Sequence, residues 1–136
     1  VALDMARSNA GRHGLAPRID FRQGNWWQAV QHTERFDLIV SNPPYIATEQ
    51  IDTLQPEVRL FDPKLALDGG WDGLEPYRAI AVQAPRRLNP GGHLLLEIGA
   101  SQGDTVTRIL SRTGFGQIEV QKDLAGLDRM VLASHS

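Results

Sequence analysis

The chain has 136 residues, 41% of them hydrophobic and 22% charged, with a formal net charge of -2 and no cysteine. That suffices for one domain with a core, and it excludes disulfides, thiolate chemistry and the broad basic field of a nucleic-acid binder. Apolar runs such as HLLLEIG (93–99) fall far short of the roughly 20 residues a membrane span needs, and a cytoplasmic protein is expected.

Residues 1–14, VALDMARSNAGRHG, have the pattern of an amphipathic helix with Leu3, Ala6 and Ala10 on one face and Gly11 or Gly14 at its end. RIDFRQG (18–24) alternates apolar and polar side chains and is predicted as a strand, and NWWQAVQ as a short helical turn. RFDLIVS (35–41) is predicted as a buried strand, because Phe36, Leu38, Ile39 and Val40 leave little polar face. Residues 42–73 are rich in Pro, Gly and Asp without periodicity, the mark of a functional or mobile loop. A helix is predicted over 74–88, with Leu74, Tyr77, Ile80, Ala81 and Ala84 as its stripe and Pro85 bending or shortening its end. NPGG (89–92) is predicted as a turn, HLLLEIG as a second buried strand, 101–114 as a helix closed by Gly114, and the remainder as a hairpin turning at Ala125-Gly126. The alternation implies an α/β fold: a mostly parallel, Rossmann-like sheet with helices on both faces and a C-terminal antiparallel hairpin. Ligands of such sheets sit beyond the carboxyl ends of the strands, where Asn25, Asn42 and Gly99 would face one crevice.

One stretch carries chemistry: SNPPYI, 41–46. Pro43 and Pro44 fix φ, and Asn42 and Pro43 are restricted by the proline that follows each. The turn offers two rigid acceptors, the Asn42 side-chain oxygen and the Pro43 carbonyl, and these suit a planar NH2 group against which the Tyr45 ring can lie. An amide nitrogen is a poor nucleophile; hydrogen bonds to its N–H groups enrich it in electrons and aim it. A plain strand stop is the competing reading of Asn-Pro-Pro. The strand-final position, the tyrosine and the long loop weigh against it. The four histidines are scattered and suggest no metal site.

SNPPYI after FDLIV resembles motif IV of class I S-adenosylmethionine-dependent methyltransferases that modify planar amino groups. LQPEVRLFDPKLALDGGWDGLEPYRAI (54–80), LNPGGHLLLEIG (88–99) and VQKDLAGLDRMVLA (120–133) are similar to the HemK/PrmC glutamine-N5 methyltransferases of peptide chain release factors. The resemblance implies S-adenosyl-L-methionine as cofactor and a release factor's glutamine-bearing loop as partner, with no metal, membrane or nucleic acid. Asn42 and Pro43 would hold the glutamine amide, Pro44 would shape the turn, Tyr45 would pack beside it, and Asn42 would also lie close to the cofactor. Asn25-Trp26 stands where the family usually has Asp-Trp beside the adenine. Glu57 and Arg59 would order the loop, touch the release factor, or form a surface ion pair. Gly69, Gly70 and Gly73 would serve backbone geometry, and Glu97 would anchor a loop or neighbour the cofactor. A nucleobase methyltransferase (adenine-N6 or guanine-N2) and a non-catalytic fragment remain alternatives.

The resemblance also sets expectations about extent. The family's Gly-rich cofactor loop, of G-x-G-x-G type, has no counterpart in these 136 residues. The chain is therefore expected to be part of one catalytic domain, lacking its first two strands and a substrate-recognition domain. Alone, it is expected to be inactive, to bind S-adenosylmethionine weakly or not at all, and to rearrange its first strand or self-associate.

Overall fold

The structure is a computed structural model and describes residues 2–53 and 67–136. The chain forms two compact units, Val1–His32 and Thr33–Ser136.

In the first unit, helix α1 (Ala2–Arg12) keeps Leu3, Ala6 and Ala10 as its less exposed face. The Leu15 N–H returns to the Ala10 carbonyl to end it. The Arg7 guanidinium lies over the Phe21 ring at 5.8 Å from its centroid, tying the helix to the segment that follows. Two 3-10 turns follow, Ala16–Arg18 and Trp26–Ala29. The predicted strand over 18–24 does not form, and no described strand pairs with it. Alternation supplies a face but not a ladder, and a strand with no partner leaves its backbone groups to water or side chains. Arg22 illustrates the substitute bonding: its guanidinium donates to Asp20 at 2.8 Å and to the Ala29 carbonyl at 2.9 Å.

The second unit holds a four-stranded sheet of order β1-β2-β4-β3, with β1 Phe36–Ser41, β2 Leu88–Glu97, β3 Gln117–Lys122 and β4 Asp128–Ser134. β1 and β2 run parallel; β2–β4 and β3–β4 are antiparallel. The terminal hairpin is as expected. Parallel pairing is confined to β1–β2 among the described strands, so the sheet is mixed rather than mostly parallel. Helix α2 (Glu75–Arg87) packs on β2, helix α3 (Gly103–Arg112) on β3 and β4, and the two helices touch each other. Leu94, Leu96, Ile98, Tyr77, Val106 and Leu110 are among the fully buried side chains of this unit. Pro85 does not end α2, which continues to Arg87.

Two expectations need correction here. β1 is not a fully buried strand: Leu38 and Val40 are 56% and 61% exposed, because β1 is the edge of the sheet. NPGG is not a free turn either. It lies within β2, where Phe36 is opposite Leu88 but Leu38 is already opposite His93. The surplus β2 residues form a bulge, with Gly91 at φ 81° and Asn89 bonded to the Asp37 carboxylate at 3.0 Å.

Candidate active site at the ends of β1 and β2

Parallel register brings the strand ends level. Ser41 is opposite Leu96, so the next residues, Asn42 and Glu97, reach the same edge of the sheet. Asn42, Pro43, Pro44 and Tyr45 line one cavity of about 290 Å³ together with Ile46, Leu67 and Glu97. Pro43 is buried and Asn42 is exposed, so the turn is anchored while its amide side chain faces outward. The four residues singled out in NPPY therefore share one cavity.

Beyond the turn the loop is strapped down. The Ile46 N–H donates to the Leu67 carbonyl at 3.1 Å, and the Gly69 N–H donates to the Ile46 carbonyl at 2.7 Å. Thr48 Oγ1 and the Gly70 N–H both donate to Asp68 Oδ1, at 2.7 and 2.9 Å. Gly73 has φ 77°, and a side chain there would collide with the Tyr45 carbonyl oxygen. The Tyr45 ring lies over Gly99: a Cβ at Gly99 would be 3.1 Å from its Cδ2. Asn42 and Gly99 therefore do not face one crevice as expected; they line neighbouring cavities that have Tyr45 in common. Glu57 and Arg59 lie outside the described residues.

Glu97 connects this cavity to the rest of the sheet. Its carboxylate is 37% exposed and lies 3.9 Å from the Arg129 guanidinium, which also donates to Asp123 at 3.2 Å. The Asp123 hydrogen bond, with smaller contributions from Tyr45 and Glu97, holds Arg129 above its ordinary value. Beneath, the fully buried Tyr77 donates its hydroxyl to the Glu97 backbone carbonyl at 2.7 Å. Burial raises its phenol well above the tyrosine range, and the charges of Tyr45 and Glu97 add to the effect.

Asn25 and Trp26 belong to the first unit. Asn25 does not follow a strand. It opens the Trp26–Ala29 turn, its N–H donating to Gln28 Oε1 at 3.0 Å. Trp26 is 48% exposed with φ 50°, so it is not a core tryptophan, and its ring is available at the surface.

A family model described as UPF0020: RMKL-like, methyltransferase domain matches residues 1–61. A release factor glutamine methyltransferase of Cereibacter sphaeroides is 52% identical over 133 residues, covering 98% of this chain and 47% of the relative. Another of that name, from Geobacter sulfurreducens, is 48% identical over 130 residues, covering 96% of this chain and 45% of the relative. Over nearly its whole length the chain is similar to release factor glutamine methyltransferases. It spans about half the length of the curated relatives it matches. In fold it is similar to a methyltransferase from Pyrococcus furiosus, with TM-score 0.63 and 17% identity over 97% of this chain and 56% of that one. An O-methyltransferase family protein from Burkholderia thailandensis gives TM-score 0.62 at 13% identity, over 98% of this chain and 40% of that one. These neighbours place the chain in the class I methyltransferase fold.

The sequence motifs left out one contributor to the site region, Gln102. Its side chain bonds Tyr45, Gly73 and Gly99 together. The available signal was its position: an amide three residues past Gly99, at a helix start where shorter polar side chains are the usual caps.

Proposed function

We propose that this chain carries the substrate-amide site of an S-adenosyl-L-methionine-dependent methyltransferase whose target is the side-chain amide nitrogen of a glutamine in a peptide chain release factor. The observation that carries the reading is the Asn42-Pro43-Pro44-Tyr45 turn, lining one cavity with Glu97 at the carboxyl ends of adjacent parallel strands. The Asn42 side-chain oxygen and the Pro43 carbonyl would each accept one N–H of the glutamine amide. That pairing fixes the amide plane and leaves the nitrogen's remaining face for attack. Tyr45, held over Gly99, would cover the amide on one side and exclude water.

The residues present fit the donor. A carboxylate, Glu97, and an amide, Asn42, line the cavity, a combination suited to a sulfonium cation. In the first unit, Asn25 and the exposed Trp26 ring keep the adenine roles that the resemblance implies, hydrogen bonding and stacking respectively. When bound, S-adenosylmethionine supplies the methyl group. A net charge of -2 favours a protein substrate over a nucleic acid. We further infer that the 136 residues are part of a larger catalytic domain, consistent with relatives about twice as long.

The test uses the full-length protein carrying this sequence. Wild type should add one methyl group to a release-factor glutamine, and Asn42→Ala should lower kcat by about 10²–10³, the usual cost of removing one preorganised polar partner. Full activity of Asn42→Ala would refute the assignment.

A further inference from the structure

A side chain at the start of a helix ordinarily accepts a hydrogen bond from that helix's own free N–H groups. Gln102, at the start of α3, does not. Its backbone is nonetheless fixed to the helix: the Gln102 carbonyl accepts from the Val106 N–H at 2.9 Å and from Thr105 Oγ1 at 3.0 Å. From that base its carboxamide reaches three separate loops. Oε1 accepts from the Gly99 N–H at 2.9 Å, after β2. Nε2 donates to the Tyr45 carbonyl at 3.0 Å, after β1, and to the Gly73 carbonyl at 3.2 Å, before α2. One N–H and two carbonyls as partners leave a single orientation of the amide that satisfies all three.

We propose that Gln102 is a positioning residue of the substrate site, holding the far end of the Asn42–Tyr45 turn in place. The inference rests on the glutamine-methylation reading above. The near end of the turn is fixed by the pairing of Ser41 with Leu96. Pro43 and Pro44 make the interior stiff, so the position of Asn42 follows from its two ends. Gln102 fixes the second end at the Tyr45 carbonyl, and through Gly99 it fixes the backbone under the Tyr45 ring. It is not among the residues lining the Asn42 cavity, so it acts through Tyr45 rather than on the substrate. No other common side chain does the same. Glutamate keeps the bond to Gly99 but turns an acceptor toward two carbonyl oxygens, asparagine is one methylene short, and methionine fills the space without donors.

The experiment compares wild type, Gln102→Glu and Gln102→Met in the full-length protein carrying this sequence. The readouts are kcat and KM for methyl transfer to a release factor, the melting temperature, and the chemical shift of the Ile46 amide. That amide shares a peptide unit with the Tyr45 carbonyl and senses whether the carbonyl is bonded. The expected result is a kcat lowered about 10–100-fold, the scale of a small misplacement of a reacting group. KM for S-adenosylmethionine should be unchanged, and the Ile46 resonance should move in both variants. Wild-type kcat in either variant would overturn the proposal, and so would a loss of activity that only tracks a loss of folded protein. Failure of wild type to methylate any release factor would refute the substrate reading instead. In that event the Ile46 resonance alone decides: an unmoved resonance overturns the role of Gln102, and a moved one upholds it.

Discussion

At the scale of single residues, the site depends on how few side chains do several things at once. Asn42 was legible because its meaning is local: amide, proline, proline and ring are contiguous, and proline stiffness needs no tertiary context. Gln102 was not, because its partners lie 57 and 29 residues away in the chain. Asp72 is a third case, on the wall of the neighbouring cavity. It accepts from the Leu74 N–H at 3.0 Å at the head of α2 and is gripped by both terminal nitrogens of Arg78. The Arg78 hydrogen bond holds its carboxyl below the ordinary 3.8, against a partial desolvation penalty. Because the folded value is depressed, the unfolded chain takes up protons first as pH falls. The stabilisation from Asp72 is complete above 3.8 and is lost as pH drops through the lower folded value. Asp72→Asn should therefore flatten the fall in melting temperature between roughly pH 5 and 2, removing at most about 1 kcal/mol because the Arg78 end of the pair is 46% exposed. Asp123 titrates in the same direction and is common to both proteins, so the difference between the two curves isolates Asp72. Parallel curves would contradict the assignment.

At the scale of elements, the β1–β2 pair sets the site, and the loops after it are closed against each other without spare room. Gly69 and Gly73 sit so close to Tyr45 that a Cβ on Gly69 would be 2.8 Å from the Tyr45 Cα. Gly73→Ala adds a left-handed backbone cost to a collision with the Tyr45 carbonyl. We expect a loss of roughly 1–2 kcal/mol in stability from the backbone conformation alone. The displaced Tyr45 carbonyl should also lower kcat. Chemical denaturation and steady-state kinetics on the same preparation check this, and an unchanged kcat would show the loop to be slack. The helices were legible because each carries its stripe: Tyr77, Ile80, Ala81 and Ala84 on α2 are all buried as their spacing requires. The strands were less so. Alternation over 18–24 had no partner among the described strands to become a strand itself. NPGG was absorbed into β2 as a bulge, because the Gly91 N–H donates to the His135 carbonyl at 2.8 Å and the His135 N–H donates to the Gly92 carbonyl at 2.9 Å. The apolar run of β1 also does not by itself reveal that its neighbours lie on one side only.

At the scale of the whole molecule, the family was legible from motifs spread over the length of the chain, and the 52% identity to a relative bears it out. The sheet does not distinguish a glutamine amide from a nucleobase amine, since both present a planar NH2 group to the same kind of turn. The fold neighbours include methyltransferases of differing names at 13–17% identity, so fold alone does not choose between them. The choice rests on the chain's likeness to release factor glutamine methyltransferases and on its slightly acidic balance. The most direct measurement offers the full-length protein carrying this sequence, with labelled S-adenosylmethionine, a release factor, ribosomal RNA and duplex DNA in parallel. The label should enter the release factor, on a glutamine side chain located by mass spectrometry, and leave both nucleic acids unlabelled. Label in RNA or DNA with none in the release factor would contradict the account.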